Sequence, residues 1–162
     1  MKTINLVLRP VDDHFEGDTI GVDSGALYCL NKGIKMIMAV GDFDSISVSD
    51  YKRLKESKVP LVKFPEAKNE IDFELALSYV QDYDQIVVYG GLGNRRDHEY
   101  TLMKFVMSDS RLIVVDQENR IQMRRKGKYL YKKGHYKYLS IIPLTNGMIT
   151  LSGFKYPLKD DV

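Results

Sequence analysis

The chain has a single cysteine, Cys29, so no disulfide can close within it, and cysteine usage agrees with a reducing compartment. Tryptophan is absent. The three histidines, His14, His98 and His135, are scattered, with no Cys/His spacing that would hold zinc. Neither sign of charge is in excess, because 24 basic and 22 acidic residues leave a formal net charge of +2. That balance supplies no field calling for nucleic acid or a membrane, and neither is expected as a partner. No apolar run is long enough to cross a bilayer, and the opening MKTINLVLRP turns charged too soon for a secretion signal. A cytoplasmic location is expected.

What is present reads as one ordinary domain, or one domain with a small appendage, since 162 residues carry 44% hydrophobic and 28% charged side chains. Short apolar runs at 4–9, 18–23, 36–40, 60–64, 84–91 and 111–116 are bounded by proline, glycine or aspartate and predict buried strands. Between them lie helical patterns at 24–33, 49–58, 71–83 and 97–107, with Ser47 or Ser49 available to cap the second. Alternating strands and helices argue for a mostly parallel sheet covered on both faces. From Asn119 the pattern changes to short strand-like pieces separated by Lys-Gly, Lys-Gly-His and Asn-Gly, with no helical spacing. The expected organisation is therefore a three-layer, mostly parallel α/β domain over 1–116, then a small antiparallel, sandwich-like β region over 117–162.

Ligands of open parallel sheets bind beyond the carboxyl ends of the strands. Acidic residues collect there: Asp23 ends one predicted strand, Asp42 and Asp44 follow another, and Asp72 opens a helix. Carboxylates that close repel one another and lose hydration beside apolar walls, so something must compensate them. Several carboxylates around one point suit Mg²⁺, which shares its oxygen shell with substrate phosphates. An isolated Asp-x-Asp more commonly caps a turn. Strand-end placement together with Asp23 and Asp72 shifts the balance to a metal site.

YGGLGNRRDH (89–98) is a second constellation. Glycines between strand and helix let backbone amides approach an anion at the helix N-terminus, and Arg95 or Arg96 could grip phosphate oxygens. The segment is neither a Walker loop nor a G-x-G-x-x-G fingerprint. Asp97 is expected to cap the following helix, His98 to be a partly buried helix residue, and Cys29 to lie in the core. Lys68 is a candidate phosphate contact, with a solvated turn lysine as the plain alternative. A basic and aromatic ribbon, Arg124 to Tyr138, could stack on single-stranded nucleic acid. Edge hairpins also carry lysine and half-buried tyrosine, and the balanced net charge favours that structural role.

Taken in order, VDSGA (22–26), GDFDS (41–45), KNEIDFELAL (68–77) and GGLGNRRDH (90–98) resemble the motifs of the thiamine pyrophosphokinase (thiamine diphosphokinase) family. A weaker likeness continues to LSGFKYPL (151–158). The resemblance implies a catalytic α/β domain and a thiamine-binding β-sandwich, working as a homodimer with thiamine near the subunit interface. It implies transfer of diphosphate from ATP to the thiamine hydroxyl with Mg²⁺, releasing AMP. By the same likeness Asp23, Asp42, Asp44 and Asp72 form the catalytic acidic set, with Asp42, Asp44 and Asp72 on the metal. Lys68, Gly91, Gly93, Arg95 and Asp97 are then the nucleotide contacts. The chain departs from the family pattern in carrying Asn69 for an aspartate, Gly93-Asn94-Arg95 for Gly-Gly-Arg, and Leu102 where asparagine is frequent. It also stops at Val162, ahead of the family's closing strands, so the β region is expected to be truncated and nucleotide binding better kept than thiamine recognition.

Other readings are another Mg²⁺-dependent phosphotransferase or phosphohydrolase, suggested by DFDSI, and an RNA-binding module using the ribbon. A non-catalytic sensor of thiamine nucleotides is a further one.

Overall fold

The computed structural model describes residues 1–65, 67, 69–93 and 95–161, with residues 160 and 161 described by their backbone only. Seven strands, β1 (Thr3–Val7), β2 (Asp18–Val22), β3 (Met38–Gly41), β4 (Leu61–Lys63), β5 (Gln85–Tyr89), β6 (Leu112–Val115) and β7 (Arg120–Gln122), form one sheet. Their order is β4-β3-β2-β1-β5-β6-β7, and every pairing is parallel except the antiparallel β6–β7 pair. Helices α1 (Ser24–Asn31), α2 (Val48–Glu56), α3 (Asp72–Leu77) and α4 (Arg96–Ser108) connect them. The mostly parallel, three-layer arrangement expected from the alternation is what the chain adopts.

Strand side chains alternate between two apolar layers. Ile4, Leu6, Ile20, Val22, Ile86, Val88, Leu112 and Val114 pack with Phe73 and Ala76 of α3 and with Leu102 and Val106 of α4. Val7 and Ala39 pack on the other side with Ala26 and Cys29 of α1 and Leu54 of α2. With both faces covered, central strands read as unbroken apolar runs, as in the fully buried Leu112–Val115. Cys29 is a core residue, and burial pushes its thiol up to about 12.

Some boundaries differ from expectation. The helix predicted over 71–83 ends at Leu77. The amides of Ser78, Tyr79 and Val80 bond three residues back instead of four, so Val80 and Tyr83 still reach the core through tight turns. Ser47 caps α2, accepting from the Asp50 amide at 3.1 Å. Arg95, not Asp97, occupies the cap position of α4. Asp97 lies in the first turn, where a carboxylate still complements the helix dipole.

The chain divides into two compact units, Met1–Tyr129 and a second beginning at Leu130. Within the second, β8 (Ile149–Leu151) and β9 (Leu158–Asp161) pair antiparallel with an irregular register. The hairpins expected along the basic ribbon are not formed, since no strand lies among residues 123–148. A strand needs a partner for its amides and an apolar face to bury, whereas Leu130, Tyr138 and Ile142 there are 92%, 78% and 80% exposed. Among the described residues, no helix is long and apolar enough to cross a membrane.

Candidate active site

Parallel strands end on a common lip, and three carboxylates meet there from separate connections. Asp23 follows β2, Asp42 follows β3, and Asp72 is the first residue of α3. Each offers one oxygen such that the three lie within 4.8 Å of one another, and all three side chains are half-buried. Asp23 and Asp72 share a hydrogen bond. Burial, then that bond, then the charges of Asp72 and Asp42 push the Asp23 carboxyl up to about 7, against the pull of the Phe43 amide. Crowding of this kind is what a cation relieves.

The local backbone is built to bring these groups together. Asp23 has φ 47° and Phe43 has φ 59°, both in the left-handed region that side-chain-bearing residues rarely occupy. The Asp23 amide donates to the Val40 carbonyl at 2.9 Å, and its carboxylate accepts from the Phe43 amide at 3.2 Å. Phe43 is buried, its ring 5.4 Å from that of Tyr51 on α2, which anchors the loop between Asp42 and Asp44. Gly41, at φ 148°, is the one residue that fits before it, because a Cβ there would collide with Asp23 Oδ1.

Asp44 stands apart from the three-carboxylate group. It is exposed, and its amide donates to Asp42 Oδ1 at 3.2 Å. Asn69 is also exposed. Lys68 and Asn94 lie outside the described residues.

The glycine segment follows β5 on the same lip. Gly90 (φ 72°) and Gly93 (φ 88°) turn the chain, and Gly91 lies directly over Leu102, whose side chain would meet a Cβ at that position. Leu102 is only 2% exposed, so it serves the core beneath the loop. Arg95 grips the Asp97 carboxylate through Nε and Nη2, and both residues are exposed. The Arg95 guanidinium, by hydrogen bond and then by charge, holds the Asp97 carboxyl below its usual range. Arg96 pairs with Glu99 at 2.8 Å, and His98 is exposed rather than partly buried.

One participant escaped the sequence reading. Arg9, placed there at the end of the first strand, lies beyond β1 and reaches the glycine segment. Its Nε donates to the Gly90 carbonyl at 2.7 Å and its Nη2 to the Leu92 carbonyl at 3.0 Å. An arginine between an apolar strand and Pro10 was the available signal, since a charge at a strand's carboxyl end sits where ligands bind.

The family models decide between the competing chemistries. The thiamin pyrophosphokinase catalytic domain matches residues 17–115, and the thiamin pyrophosphokinase vitamin B1 binding domain matches residues 118–162. This chain belongs to the thiamine pyrophosphokinase family. It is 35% identical over 180 residues to the thiamine pyrophosphokinase of Bacillus subtilis (strain 168), across 99% of this chain and 83% of that protein. The crystal structure of the Bacillus subtilis thiamine pyrophosphokinase superposes with a TM-score of 0.84 at 30% identity, covering 98% of this chain and 83% of that one. A Lactobacillus plantarum protein matches at 28% identity and TM-score 0.63, over 74% of this chain and 64% of its own length. A probable thiamine pyrophosphokinase from Staphylococcus saprophyticus gives 27% and 0.62, over 77% of this chain and 70% of its own.

Membership in the thiamine pyrophosphokinase family sets aside the phosphohydrolase reading of Asp42-Phe43-Asp44 and the RNA-binding reading of the ribbon. The catalytic-domain match takes in Asp23, Asp42, Asp72 and the glycine segment, and Arg9 precedes it.

Proposed function

We propose that this chain is a thiamine diphosphokinase that moves the diphosphate of ATP to the primary hydroxyl of thiamine. The hydroxyl oxygen bonds to the β-phosphorus while the bond from that phosphorus to the oxygen bridging to Pα breaks. AMP leaves with the bridging oxygen, and the hydroxyl proton is released. One observation carries this reading: carboxylates from three connections converge on the lip of the sheet in a chain of this family.

The donor set fits Mg²⁺. Three carboxylates from separate connections, their oxygens within 4.8 Å of one another, are the hard oxygen donors this ion takes. Asp23, Asp42 and Asp72 would hold the ion, with Asp44 the fourth carboxylate of the site on the same loop as Asp42. Bound there, Mg²⁺ would offset phosphate charge. The protein's own part is positioning and electrostatics. Gly91 and Gly93 offer backbone amides to the triphosphate, and Lys68 adds a cation. Arg95 is held by Asp97 in an exposed pair, a weak arrangement that phosphate oxygens can displace. Asp97 thereby stores the guanidinium beside its target.

We assign residues 1–116 to nucleotide and magnesium and residues 117–162 to thiamine. We place the enzyme in the cytoplasm as a homodimer, the location being supported by the single buried thiol. Mass spectrometry after incubation with ATP, Mg²⁺ and thiamine tests the reading. AMP and thiamine diphosphate are expected in equal amounts, and only when thiamine is present. ADP, or phosphate release without thiamine, would overturn it.

A further inference from the structure

The order of the strands makes β1 and β5 the neighbours at which the sheet changes direction. From β1 the chain steps outward through β2, β3 and β4, and from β5 it steps the other way to β6 and β7. A crevice opens at the carboxyl ends of such a pair. Arg9 leaves β1 there and the glycine segment leaves β5, with the Leu8 amide bonded to the Tyr89 carbonyl at 2.9 Å just below. The two connections touch, since a Cβ on Gly90 would come within 2.9 Å of the Arg9 amide nitrogen and carbonyl oxygen.

The two carbonyls that Arg9 holds belong to alternate peptide units. In a trans peptide the carbonyl and the following N–H point in opposite directions, and no cis peptide occurs among the described residues. With the Gly90 and Leu92 carbonyls turned toward the guanidinium, the amides of Gly91 and Gly93 are turned away from it. Two such amides in a glycine turn form a concavity suited to an anion. We propose that Arg9 is a positioning residue that presets the Gly91 and Gly93 amides for the phosphates of a nucleoside triphosphate. The proposal rests on the nucleotide reading of this lip. A planar guanidinium is the right group, because its fixed fork spans two acceptors that a single ammonium cannot hold together. Half-buried beneath the loop, Arg9 loses hydration, which pushes its pKa down while Glu99 pushes it up, and it remains a cation.

The test uses the full chain with Arg9→Lys and Arg9→Met. Titration calorimetry gives Kd for a non-hydrolysable ATP analogue with Mg²⁺, amide exchange reports Gly91 and Gly93, and steady-state kinetics give KM for each substrate. For Arg9→Met the analogue should bind about ten-fold more weakly, equivalent to roughly 1.4 kcal/mol. The KM for ATP should rise in parallel, amide exchange at Gly91 and Gly93 should quicken, and the KM for thiamine and Tm should stay near wild type. Arg9→Lys should recover only part of the loss. Analogue binding within two-fold of wild type in Arg9→Met would overturn the proposal. Full recovery in Arg9→Lys, equal rises in both KM values, or a collapse of Tm in both variants would do so as well. If wild type binds the analogue but forms no AMP, the diphosphokinase reading fails while the Kd comparison still decides the role of Arg9. If wild type binds no nucleotide, both fall.

Discussion

Asp23 concentrates the conflict between folding and chemistry. It holds a left-handed backbone conformation, carries a half-buried carboxyl, and faces both Asp42 and Asp72. Asparagine is isosteric with aspartate, so it meets the same backbone demand, can still accept from the Phe43 amide, and brings no charge. Asp23→Asn should therefore raise Tm by a few degrees at pH 8 without metal, while Mg²⁺ binds more weakly. Calorimetric melting with and without Mg²⁺ checks both directions, and a lower metal-free Tm would show that the cluster is not strained. The carboxylates themselves were legible in the sequence as aspartates at strand ends. Which of them meet was not, because it depends on the turn at Gly41 and on Phe43 folding back into the core. Asp44, two residues from Asp42, is exposed, and the three carboxylates that come within 4.8 Å of one another are Asp23, Asp42 and Asp72. Arg9 was hidden because a cation ending an apolar run is equally a strand terminus until the neighbouring loop is known.

Among the elements, the alternation of apolar runs with helical spacings made the parallel sheet readable, since a strand covered on both faces leaves an unbroken apolar run. Boundaries were harder. The apolar spacing of 71–83 persists beyond the end of α3, because tight turns bury Val80 and Tyr83 just as a helix would. The ribbon from Arg124 to Tyr138 has strand-forming residues but no partner ladder, which sequence pattern does not reveal. One tie between elements sets an acid-sensitive link. Arg111 fastens the start of β6 by pairing with Asp109 at 2.7 Å and donating to the Gln81 carbonyl at 3.0 Å. The hydrogen bond from Arg111 holds the Asp109 carboxyl below its usual range. A carboxyl lowered on folding stabilises above its unfolded value, near pH 4, and that contribution is lost as pH falls through the folded value. Asp109→Asn should cost on the order of 1 kcal/mol at neutral pH, and the difference from wild type should shrink below pH 4. Urea melts at pH 7 and pH 3 measure it, and an equal loss at both would contradict the pairing.

On the scale of the whole molecule, the fold brings residues from 9 to 97 to one lip, with the three carboxylates and the glycine turn supplied by separate halves of the sheet. Asp23 and Asp42 follow strands on one side of β1, and Gly91 and Gly93 follow β5 on the other. Substrate phosphates would then bridge the change of direction in the sheet. Paramagnetic Mn²⁺ in place of Mg²⁺ tests that placement directly, because it broadens the NMR signals of nearby nuclei. Sub-stoichiometric Mn²⁺ is expected to bleach the carboxyl signals of Asp23, Asp42 and Asp72 first, and excess Mg²⁺ should restore them. Broadening that begins in the acidic loop at Asp12, Asp13 and Glu16, or that spreads evenly over the surface, would contradict the account.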